Sequence, residues 1–306
     1  MGIYIDFNPT QEISTFTKTQ GKDIYVKENG NFEKFEIKGV DLGVGIPGHY
    51  ATDYAIDKET YLRWFKQIKE LGANTIRVYT ILHDDFYNAV YEFNKNNPDP
   101  LYVIHGLWVN DYVQLSSIDA YDEKFLNKML EDVKILSDVI HGNRKISFNE
   151  EYGNGNYIKD ISKWVIGYIL GVEWEDVTVA YTDDMEQDKK SYQGKYMYTK
   201  EDATPFEAML ARVGDKMLEY ETNRYKEQRL IAFSNWPTTD PLSYLEIVEN
   251  YFLKVANVDV DNIGITRRSK IRIFCLIPCI SILSRLFKLL CKCTRIYRWY
   301  RKNKYI

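Results

Sequence analysis

Glu173 is the residue best placed by type and context to do chemistry. It closes an otherwise apolar run, Ile166 to Val172. A carboxylate there costs free energy unless it is paired or stands at an open mouth. Partial burial beside Trp174 would raise its pKa, the condition a general acid needs at neutral pH. The alternative is a surface glutamate at a strand end. Glu175 and Asp176 follow directly and read as loop charges. Arg77 lies inside a β-branched stretch, where a buried guanidinium needs an anion. It would orient a carboxylate at the floor of a site or form a structural ion pair. His105 lies inside a third apolar stretch, with Asn110 and Asp111 just beyond. It is a candidate site residue or a hydrogen-bonded core histidine. His49, Tyr79, Trp174 and Trp236 complete the substrate-binding candidates. His83 and His141 read as loop or helix-end residues. No two histidines have metal-ligand spacing and no Gly-x-Ser-x-Gly elbow occurs, so neither a metal nor a cofactor is expected.

These residues need strands and helices to hold them. Phe35 to Leu42 reads as a strand leading into a Gly-rich loop. Asp57 to Leu71 reads as a helix, with Asp57 as N-cap and Gly72 as C-cap. Asn74–Leu82, Leu101–Val109, Val165–Trp174 and Arg229–Trp236 read as buried strands. Asp84–Asn94, Tyr121–Ile140 and Pro205–Arg224 read as helices between them, and Leu242–Leu253 as helix or loop. Alternating strands and helices predict parallel βαβ units. A doubly wound sheet would carry a phosphate loop after its first strand. Gly43-x-Gly45-x-x-Gly48 has the spacing, but Pro47 interrupts it and no helix starts before Asp57. The expected fold class is therefore α/β, a (β/α)₈ TIM barrel, incomplete at about five units, since a full barrel takes ~250 residues. The expected domains are a peripheral segment 1–34, a partial barrel 35–263 and an unrelated tail 264–306.

That last boundary comes from composition. Residues 264–306 hold twelve of the 40 Lys/Arg, none of the 44 Asp/Glu and all four Cys: Cys275, Cys279, Cys291 and Cys293. Three readings compete. An interfacial basic helix would suit anionic lipid, although the apolar run Ile273–Ser284 is too short for the ~20 residues a span needs. A metal or disulfide cluster lacks the usual Cys spacing and nearby histidines. The third is a shifted reading frame. Codons permitted from Arg272 onward, read one base later, encode an apolar stretch and a Pro/Tyr loop without a stop. The expectation is an out-of-frame tail. The acidic remainder excludes a nucleic-acid partner. The 25 Tyr serve the core first and supply flat faces for sugar rings second. Met1 to Thr10 shows no basic n-region and no apolar h-region. The expected location is cytoplasmic for the chain as written, with longer relatives at the membrane or outside the cell. Membrane association would come only through 264–306.

Three stretches carry a resemblance: GVDLG at Gly39–Gly43, LGANTIRVYTI at Leu71–Ile81 and ILGVEW at Ile169–Trp174. They resemble a clan of retaining glycoside hydrolases with a (β/α)₈ barrel, of the β-glucanosyltransferase and β-galactosidase type. The resemblance spans roughly Phe35 to Pro241. It implies a glycoside hydrolase or transglycosidase acting on β-linked oligo- or polysaccharides. It maps the acid/base glutamate onto Glu173 and the strand-two arginine onto Arg77. The residue before the acid is usually Asn; here it is Val172, which removes a partner for the sugar 2-hydroxyl. The nucleophile ends strand seven in that clan, and the 306 residues contain no such strand. The implied chain is catalytically incomplete. The alternatives are a non-catalytic carbohydrate-binding or scaffold protein, or a membrane-surface protein acting through its tail.

Overall fold

The computed structural model describes residues 12–276, apart from 22, 29, 109–118, 148–151, 172–173, 237, 253 and 272. The chain opens with four short strands: β1 (Ser14–Thr15), β2 (Thr17–Gln20), β3 (Asp23–Glu28) and β4 (Asn31–Phe35). Strands β2, β3 and β4 form an antiparallel sheet. Then β5 (Gly39–Leu42), α1 (Lys58–Glu70), β6 (Thr75–Val78), α2 (Asp84–Asn94), β7 (Tyr102–Leu107) and α3 (Glu123–Ile140) alternate. A hairpin of β8 (Arg144–Ile146) and β9 (Gly155–Tyr157) precedes β10 (Val165–Leu170) and α4 (Asp176–Met185). Next come β11 (Met197–Thr199), α5 (Pro205–Tyr225), β12 (Glu227–Gln228) and β13 (Leu230–Ser234). The described chain ends with α6 (Glu246–Phe252), β14 (Ile263–Ile265) and β15 (Ile273–Leu276).

Local chemistry accounts for these boundaries. The Asp57 carboxylate accepts the Thr60 amide at 2.8 Å and starts α1. Gly72 follows α1 at φ +81°, a backbone that a side chain would strain. Asp122 caps α3, and Thr204 with Glu207 forms a capping box at the start of α5.

The main sheet has six parallel strands in the order β15-β13-β10-β7-β6-β5. Each strand lies beside its predecessor in the chain, with no reversal of order. The doubly wound alternative requires such a reversal. The pairing register sorts the side chains. Asp41, Arg77, Ile104, Gly167 and Leu230 fall in line on one face. Leu42, Val78, His105, Tyr168 and Ile231 fall on the other. Tyr87 of α2 bonds His105, and Glu221 of α5 bonds Tyr168. Both helices therefore cover the His105 face. The face bearing Arg77 is the concave candidate.

Three expectations need correction. The parallel sheet is mixed into an α/β fold, but it does not close into a barrel among the described residues. It has six strands rather than five, because β15 arises from the segment expected to be unrelated. The composition break at Ile263 is no structural break. It falls inside β14, which pairs with β11. The Lys270 amide donates to Gln228 and Ile271 is buried. Residues 277–306, with Cys279, Cys291 and Cys293, lie outside the described residues. No helix among the described residues is long and apolar enough to cross a membrane. The third correction concerns the N-terminal segment, expected to be peripheral. Alternating residues put Val26 and Thr17 inward, both buried. The Thr17 hydroxyl donates to the Ile166 carbonyl at 2.8 Å, and β1 pairs with β12. Phe16 and Phe35 pack on Tyr102, the first residue of β7. This segment covers the amino ends of the main strands and leaves their carboxyl ends uncovered by it.

Candidate functional site

The carboxyl ends of β5, β6 and β7 assemble one polar and aromatic group. Arg77 Nη1 stands 3.8 Å from Asp41 Oδ1. The Tyr79 hydroxyl donates to Asp41 Oδ2 at 3.1 Å. The guanidinium lies 4.7 Å from the centre of the Tyr79 ring. Trp108 meets that ring edge-on, with centroids 6.1 Å apart. The Arg77 side chain is 14% exposed and Asp41 is 53% exposed, so the ion pair is wet and contributes little stability. Arg77 Nε is buried and has no hydrogen-bond partner. A mostly buried cation with an unused donor, a phenol and an indole are tools for holding a polyol or orienting a carboxylate.

Sequence reasoning singled out Arg77 and Tyr79 but missed Asp41 and Trp108. The signal for Asp41 was available: it is the acidic residue in GVDLG, the strand beside Arg77. Trp108 shares the parity of Ile104 and so the face of Arg77. Parity also separates His105 from this group. His105 lies fully buried on the helix-covered face. Its Nδ1–H donates to the Gly106 carbonyl at 2.9 Å, and Nε2 accepts the Tyr87 hydroxyl at 2.8 Å. That assignment fixes the neutral tautomer. Burial lowers its pKa to about 4. The same Tyr87 oxygen accepts the Leu82 amide. His105 is a core ligand of the fold, not part of the Arg77 group.

Trp174 is likewise not brought to the group. It is 1% exposed and wedges between Phe125 of α3 and Phe206 of α5. Gly171, at φ +75°, lies against the indole, and an added Cβ would stand 2.1 Å from it. Gly171 therefore leaves the room that seats Trp174 in the core. Glu173 and Asn110 lie outside the described residues. Glu173 is flanked by Gly171, whose amide donates to the Leu107 carbonyl at 3.1 Å, and by the buried Trp174.

Trp236 lies two residues beyond β13, 45% exposed, and its amide donates to Thr239 Oγ1 at 3.1 Å. His49 sits in the loop leaving β5, exposed, with Nδ1 3.6 Å from Asp53. Ser234, the last residue of β13, shares the Arg77 face by register. Its hydroxyl is buried without a partner. His83 caps α2, accepting the Asp85 amide, as a helix-end residue should. His83, Asp84 and Asp85 bring ligand-type atoms within 4.8 Å of one another. Asp84 accepts the Asn156 amide at 2.9 Å, and burial raises the Asp85 pKa. These groups are engaged in starting α2 and anchoring β9.

No curated relative and no solved structure matches the chain. A family profile described as glucanosyltransferase, glycoside hydrolase family 72, matches residues 10–235. The match runs from the N-terminal sheet to the end of β13 and contains Asp41, Arg77, Tyr79 and Glu173. The chain therefore belongs to the glucanosyltransferase family of glycoside hydrolases, a family that modifies polysaccharides.

Proposed function

We propose that the carboxyl ends of β5, β6, β7 and β10 form a saccharide-binding mouth of transglycosidase type, with Glu173 as its acid/base. The substrate class is a β-linked glycan. The observation that carries this reading is the Asp41–Arg77–Tyr79–Trp108 group, inside the matched region and on the face opposite the one that α2 and α5 cover. The order of the strands and the helices on one face support an incomplete (β/α)₈ barrel, in which active sites gather at this end. As acid, Glu173 donates its proton to the glycosidic oxygen while the bond to the anomeric carbon breaks. As base, it later takes a proton from the acceptor, a sugar hydroxyl in transfer or water in hydrolysis. Trp236 and His49 are the outer subsite candidates, on loops leaving β13 and β5. Asn110 is a further candidate beyond β7.

Retaining chemistry requires a second carboxylate ~5 Å from the first. The clan's nucleophile ends a seventh strand, and the described residues supply six strands to the sheet. Asp41 is engaged by Arg77 and Tyr79 and serves as their anchor. On this reading the described strands supply the glycan-binding mouth. The test is an assay of β-glucans and aryl β-glycosides with the chain and its Glu173→Gln form. Turnover removed by Glu173→Gln would support the acid/base role, and turnover indifferent to it would refute that role. Saccharide binding indifferent to both Glu173→Gln and Arg77→Ala would point instead to a non-catalytic binding module.

A further inference from the structure

A groove of about 500 Å³ opens on the helix layer, between the first turn of α3 and the second turn of α5. It lies on the opposite side of the sheet from Arg77, because α5 meets the sheet through the Glu221–Tyr168 bond. Its volume falls within the ~300–1,000 Å³ of small-molecule sites. Leu126 and Ala208 line it with apolar surface. Two tyrosines line it too, and both are held in place. The Tyr121 hydroxyl donates to the Pro205 carbonyl at 3.0 Å, and the Tyr192 hydroxyl donates to Asp215 at 2.9 Å. Lys189 stands 4.5 Å from the Tyr121 ring centre and fixes it further. Such rings meet a ligand without losing rotamer freedom.

The polar lining is different in kind. Arg212 and Asn127 face this groove, and neither has a hydrogen bond or ion pair within the described chain. Glu123 and Asp188 share the lining. Cations and carboxylates are therefore interspersed. That balance disfavours a strong anion or cation and offers donors and acceptors together. A neutral polyol with alternating hydroxyl and C–H surfaces satisfies both the polar rim and the apolar floor. We propose that this groove is a second, non-catalytic saccharide site, which holds a distant stretch of a polymeric β-glucan. The choice of ligand rests on the glycan reading of the mouth, whereas the groove itself does not.

The test is affinity electrophoresis of the full chain through gels containing soluble linear β-glucan. Three proteins are compared: the parent, the groove variant Arg212→Ala/Asn127→Ala, and the mouth variant Arg77→Ala. Thermal unfolding of each controls for folding. The parent is retarded, and the groove variant loses retardation corresponding to about 5-fold weaker binding. The mouth variant keeps the groove's share. Retardation unchanged in the groove variant but lost in Arg77→Ala would overturn the groove and leave the mouth reading standing. Loss only in the groove variant would support the groove and count against the mouth. A parent that runs unretarded would overturn the groove proposal. Should the double variant fail to fold, Arg212→Lys takes its place. It keeps the charge, loses the planar fork, and is expected to give intermediate retardation.

Discussion

The two faces of the main sheet differ in how far their buried polar side chains are paired, although Glu221 Oε2 and Trp174 Nε1 on the helix-covered side also lack partners. On the helix-covered face, His105 has both ring nitrogens bonded, and the Tyr168 hydroxyl donates to Glu221 at 2.7 Å. Glu221 in turn pairs with Arg229 and His141, and Arg229 also reaches Glu227 and the Ser162 carbonyl. Burial works against the Glu221 charge, yet Arg229 and His141 outweigh it and hold the carboxyl below its usual range. On the opposite face, Arg77 Nε and Ser234 Oγ are buried and unbonded near the carboxyl ends. A polar group satisfied from within holds the fold. A polar group left unsatisfied at a strand end has capacity for something outside the chain. The difference teaches where substitutions should damage stability and where they should damage binding.

The sharpest contrast comes from Glu221→Ala, which takes from the buried Arg229 one of its two carboxylate partners and leaves His141 and Tyr168 without theirs. It should cost about 3–5 kcal/mol in urea unfolding. A loss under about 1 kcal/mol would show that the cluster is not a structural element. The next effect is pH-dependent. His105 is buried with its pKa lowered to about 4 from an ordinary 6.5. The unfolded chain binds the proton first, so this contribution is whole above about pH 6.5 and is lost as pH falls toward 4. The loss should reach about 3 kcal/mol, and His105→Gln should flatten it in acid unfolding curves. Arg77→Met should behave oppositely. It should weaken β-glucan oligosaccharide binding about 10-fold in calorimetry while moving stability by less than about 1 kcal/mol. Equal damage to both properties would erase the distinction between the faces. The smallest effect is Asp57→Ala, away from both faces, which removes the α1 cap and should cost about 1 kcal/mol with binding unchanged.

Much of this arrangement is readable from the chain. Asp84–Asn94 is a helix with those ends, and the cap Asp57 marks the start of α1. Apolar runs locate β6, β7, β10 and β13, since buried parallel strands lack polar alternation. That same absence hides which way each residue faces. His105 and Arg77 look equally eligible in sequence, and only the Val78–His105 register puts them on opposite sides. Trp174 reads as a strand-end aromatic, but the left-handed Gly171 ends β10 early and turns the indole into the helix layer. Short strands such as β8, β9, β11 and β14 pass unnoticed because three residues carry no period. Helix α4 is hidden by its charges.

The in-order main sheet has a consequence for how the chain is made. Each new strand leaving the ribosome finds its neighbour already synthesised, so assembly proceeds outward from one edge with mostly local closures. Among the described residues, the pairing of Ser14 with Glu227 is the strand pairing that spans the most chain. The beginning of the polypeptide must wait, unlatched, until β12 emerges. That late fastening makes the amino end a check on whether the first four strands of the main sheet were laid down correctly.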